Sequence, residues 1–77
     1  MWVVNSSGDK TVNCYLFKID RIYGEKAGKY AILGEYAHNF WGGVYEVISV
    51  HKTKEDAINE LEKLNKSLEK GVKIYRF

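Results

Sequence analysis

Residues 53–70 carry the clearest pattern of apolar and polar positions in the chain. Ala57, Leu61, Leu64 and Leu68 recur at steps of four, three and four, with Ile58 beside them, and so draw one apolar stripe at helical period. The spacing predicts an amphipathic helix laid on a core. Thr53 precedes it as a cap, Glu55 and Asp56 complement the positive end of the helix dipole, and Lys66, Lys70 and then Gly71 mark its end. Upstream the period falls to two. Residues 11–22, 29–37 and 40–50 are rich in β-branched and aromatic side chains, separated by glycine or asparagine, and read as three strands. Residues 2–5 form a short strand before them, joined through the turn formers Ser6-Ser7-Gly8-Asp9, while residues 24–28 make the next turn and residues 72–77 a final strand. The expected fold is α+β, in one domain. It is a small four- to five-stranded, mainly antiparallel sheet with one helix packed on one face, in the order β-β-β-β-α-β.

That order leaves an apolar face over. Side chains alternate across a strand, so Val12, Cys14 and Leu16 point one way and Tyr15, Phe17 and Ile19 the other. In the fourth strand Val44, Ile48 and Val50 share one face, and Trp41, Tyr45 and Val47 share the other. A helix of about 17 residues is roughly 26 Å long and covers one face of such a sheet. The sheet can curl into a partly closed barrel, expose its second face, or bind a partner or a second copy there. The last option makes the chain a small non-enzymatic binding protein acting through a protein–protein interface, with Tyr15, Phe17, Tyr36, Trp41 and Tyr45 as its contact residues. An inhibitor or adaptor fits this size, for example a phage-type protein that blocks a host defence nuclease.

Composition narrows the setting. The chain has 77 residues, 45% hydrophobic and 29% charged, which is globular, and a domain of this length buries only about 60% of its unfolded surface. Its apolar runs are three or four residues long, where a membrane span needs about 20, and its first residues lack a secretory pattern. The single Cys14 cannot form an internal disulfide. A cytoplasmic protein that does not touch membranes is the expectation. Charge is uneven along the chain. Lys63, Lys66, Lys70, Lys73 and Arg76 against Glu69 make residues 63–77 +4, leaving −2 for the rest of a chain of net +2. This basic ridge could contact phosphates, so a nucleic-acid-binding module that also stacks bases on its aromatics is the alternative function.

No residue pattern points to a catalyst, a cofactor or a metal. Gly24-Glu25-Lys26-Ala27-Gly28-Lys29-Tyr30 has three residues between its glycines, where a phosphate-binding loop needs four, and Tyr30 replaces the hydroxyl residue that holds magnesium. Cys14, His38 and His51 are scattered, without the paired short spacing of a zinc site. Cys14 reads as a packed thiol, and Glu35 and Glu46 as edge charges that could oppose each other on neighbouring strands. Trp41-Gly42, a strand, and then Thr53-Lys54-Glu55-Asp56-Ala57 opening a helix resembles the end of a WGR domain, a nucleic-acid-associated module of DNA repair proteins. The likeness covers about a third of the chain. Gly43 stands where that family has arginine, so the resemblance carries no binding residues across.

Overall fold

The computed structural model describes residues 1–22 and 29–77, so the expected turn at residues 24–28 lies outside the described residues. The elements are β1 (Trp2–Val4), β2 (Thr11–Asn13), β3 (Leu16–Ile22), β4 (Lys29–Asn39), β5 (Gly42–His51), α1 (Lys54–Glu69) and β6 (Ile74–Arg76). They make an α+β fold of two three-stranded sheets, β2-β1-β6 and β3-β4-β5, in place of the single sheet expected. All pairings are antiparallel except β1 with β6, which is parallel.

The difference arises at Cys14-Tyr15, where the expected second strand divides into β2 and β3. Successive backbone N–H groups of an extended chain point to opposite edges. The Cys14 N–H donates to the Met1 carbonyl at 2.8 Å and the Tyr15 N–H to the Glu35 carbonyl at 3.0 Å, so each edge meets a different strand. One continuous segment thereby belongs to both sheets. The alternation also slips there, because Tyr15 and Leu16 are both exposed while Val12, Cys14 and Phe17 are all buried. Phe17, expected at a binding face, is therefore a core residue, and Leu16 has exchanged places with it.

The two sheets and the helix enclose one core of Val3, Val12, Cys14, Phe17, Ile32, Ile48 and Leu64, with Leu61 and Leu68 packed against it. The predicted stripe is the buried side of α1, except that Ile58 is exposed. The helix starts where expected, since the Thr53 hydroxyl accepts the Asp56 N–H at 3.1 Å, and it ends before Gly71 at φ +74°. It packs against β3, β4 and β5. The Ser6 N–H donates to the Ile48 carbonyl at 2.8 Å, which brings the turn after β1 against β5. Among the described residues no helix is long and apolar enough to cross a membrane.

Candidate functional site

Strand β4 ends two residues later than its apolar pattern suggests, and β5 begins at Gly42, so Phe40 and Trp41 form the turn between them. Asparagine opening a tight turn and glycine closing it are favoured for physical reasons. The Asn39 Oδ1 accepts the Trp41 N–H at 2.9 Å, and Gly42 holds φ +116°, a value that penalises a side chain. The two turn corners point away from any core. Phe40 is 93% exposed and Trp41 89% exposed, and their rings pack edge to face with centroids 5.3 Å apart. Trp41 was expected on the sheet face beside Tyr45, whereas it stands at the hairpin tip. The strand-like pattern of residues 40–50 places Phe40 in a strand, although the Asn39-x-x-Gly42 spacing is a turn signal.

Behind the tip, on the face of β3-β4-β5 turned away from the core, Glu35 pairs in register with Tyr45 and Leu16. Glu35 is only 6% exposed, so it is neither an edge charge nor solvated. A buried carboxylate needs partners. His38 Nδ1 lies 3.4 Å from its Oε1, and the carboxylate rests against Gly43, leaving no room for a Cβ there. Partial desolvation and this adjacent carboxylate raise the Tyr15 phenol above its usual value. The Lys18 ammonium sits 4.3 Å over the Tyr45 ring. Tyr15 and Tyr45 thus rim one charged centre. Leu16, Val47 and Val50 add exposed apolar surface to this outer side. Glu46 does not join Glu35, because it pairs in register with Gly34, the neighbouring position, and so faces the opposite side.

Tyr36 falls on a different surface. A register shift between Glu35 and Ala37 leaves it unpaired, and it lines a groove of about 340 Å³ with Trp2, Lys10, Thr11, Val12, Asn13 and Glu46. Lys10 and Glu46 form an ion pair of 3.0 Å in it. The five expected contact residues are thus divided among the tip (Trp41), the outer face (Tyr15, Tyr45), the groove (Tyr36) and the core (Phe17).

The basic ridge is also divided. Lys63 and Lys66 are exposed on α1 and Lys70 is exposed just past its end, yet the exposed Glu62 and Glu69 lie among them, and Glu60 lies 4.0 Å from Lys63. Arg76 belongs to β6, in register with Val4, and Lys73 precedes that strand. Candidate catalytic groups do not converge on a common partner. Cys14 is fully buried, its Sγ facing the Val12 carbonyl at 3.7 Å, and burial pushes its thiol up, away from the reactive thiolate. His38 contacts Glu35, and His51 Nε2 lies 2.9 Å from the Ser49 hydroxyl. Among the described residues there is no group of three or more His, Cys, Asp or Glu side chains placed to hold a metal ion. Comparison with protein-family models, curated proteins and solved structures finds no match for this chain.

Proposed function

We propose that this chain is a small protein-binding module, an inhibitor or adaptor that occupies a surface of a larger protein, and that it anchors there through Phe40 and Trp41. The exposed ring pair supports this reading above all else. Aromatic side chains supply the largest anchors in protein interfaces, and tryptophan is the residue most enriched among the few that carry binding energy. A tight hairpin holds the two rings in place before contact, so little conformational entropy is lost when a partner closes over them. The outer face behind them, with Tyr15, Tyr45 and Leu16, continues the same contact surface.

The test compares the wild-type chain with the Phe40→Ser, Trp41→Ser double variant as immobilised baits in extracts of the source cells. Because both rings stand in solvent, the variant keeps its thermal midpoint, and a specific protein retained by the wild type is lost. Equal retention by a folded variant refutes the role of the tip. Co-sedimentation of the wild type, but not the variant, with lipid vesicles would make the tip a membrane anchor and reject the reading.

A further inference from the structure

The groove beside Tyr36 exists because one strand serves two sheets. Near Tyr15 and Glu35 the segment β2-β3 lies against β4, but β2 then leaves to pair with β1, while β4 continues with β5 as far as Asn39. The pairing of β4 with β3 stops at Glu35. A wedge therefore opens between β2 and the end of β4. Strand β2 is the outer strand of its sheet, so among the described residues one of its edges has no strand beside it. The ladder shows which groups lie on that edge. Lys10 accepts from Asn5 and Cys14 donates to Met1, so in the alternation of an antiparallel pair Thr11 and Asn13 direct their N–H and C=O groups away from β1. Both residues line the groove.

We infer that this wedge is a second binding site, which takes an extended segment of a partner protein as an added strand along β2. Two residues of unpaired backbone edge, set in a concave site, are complementary to another extended backbone and to little else. The half-exposed rings of Trp2 and Tyr36 form apolar walls for a side chain of that segment, because alternate side chains of an added strand point to opposite sides. The Lys10–Glu46 pair does not bar entry. It is partly solvent-exposed, and exposed pairs of this kind are held weakly. The site is separate from the Phe40–Trp41 tip and does not depend on it.

Proline at position 13 isolates the contact. It removes the N–H that points away from β1 and, with the side chain, the exposed bond that Asn13 Oδ1 accepts from the Met1 ammonium at 3.2 Å, leaving the ladder bonds of Lys10 and Cys14 in place. The experiment selects linear seven-residue peptides from a displayed random library against the whole chain, then measures a synthetic peptide of the enriched sequence against wild type and Asn13→Pro. The expected result is binding that falls at least tenfold in Asn13→Pro, with the Thr11 and Asn13 amides of the wild type protected from hydrogen exchange by the peptide. Methylating the backbone nitrogens of the peptide one at a time should abolish binding at alternate positions only. That pattern is read on the wild type and decides the matter even if Asn13→Pro does not fold. No enriched peptide, or one indifferent to both changes, overturns the inference. A peptide lost only on Phe40→Ser, Trp41→Ser also overturns it while leaving the tip intact as the contact. Protection of Thr11 and Asn13 that rises with protein concentration alone assigns the edge to a second copy and rejects a partner strand.

Discussion

Replacing Gly34 by alanine tests the packing at the point where the two sheets meet. A Cβ there would lie 2.5 Å from Cys14 Sγ, 3.3 Å from Cys14 Cβ and 3.4 Å from Phe17 Cε1. Carbon atoms pack best at about 3.5–4.0 Å, so the overlap with sulfur is on the order of 1 Å, while the Phe17 contact is only slightly tight. Cys14 is fully buried and holds the segment that joins the sheets, so its sulfur cannot swing into solvent. Overpacking of this kind costs about 1–3 kcal/mol, and alanine recovers about 0.4–1 kcal/mol by restricting the unfolded chain. The net loss is about 1–2 kcal/mol, which for a domain of this length lowers Tm by roughly 5–15 °C. Cys14→Ala alone loses a buried sulfur and is also destabilising, by about 1 kcal/mol. In the double variant the new methyl enters the space the sulfur leaves. The double variant should therefore be more stable than the two single losses added together, with a coupling of about 1–2 kcal/mol. Urea unfolding of the four proteins under reducing conditions, followed by far-UV circular dichroism, measures each term. Losses that add to within about 0.3 kcal/mol would refute the argument, since additivity means the two positions do not share space.

Leu64→Ala removes the fully buried centre of the helix stripe and should cost about 2–5 kcal/mol, a large part of the total for a chain this short; the urea midpoint reports it. Thr53→Ala deletes the hydroxyl that accepts the Asp56 N–H and should cost about 1 kcal/mol, whereas Thr53→Ser should restore most of it. Burial and the Glu60 carboxylate raise the Tyr75 phenol above its ordinary value of 10.0, so the folded state favours the neutral phenol. That contribution is fully present below pH 10, where both states are neutral, and is lost as pH rises from there through the raised folded value. Tyr75→Phe should accordingly show a shallower loss of thermal midpoint above pH 10 than the wild type, and parallel curves would discount the burial of this hydroxyl.

The helix was legible from residues 53–70 because everything that specifies it is local: a repeat near 3.6, a cap, a charged first turn and a closing glycine. The strand-rich character of the first 50 residues was legible for the same reason, since β-branched and aromatic side chains in alternation mark extended chain wherever it lies. The partner of each strand was another matter. Residues 11–22 are uniformly strand-like, and only the positions of Met1 and Glu35 on opposite edges of that segment divide it between two sheets. The slip at Tyr15 and Leu16 that sends Phe17 inward follows from this division and leaves no local trace in composition. Burial of Glu35 was likewise invisible, because it depends on Tyr45 and Gly43 being brought beside it by the register of β4 with β5. The tip lay between these cases. The Asn39-x-x-Gly42 turn was written in the residues, whereas the exposure of Phe40 and Trp41 was decided by tertiary structure alone. Local sequence thus determined which segments are helix and strand through short-range sterics and hydrogen bonding. Which aromatics became core and which became surface was set by pairings between residues far apart in the chain, whose cost and geometry no local window contains.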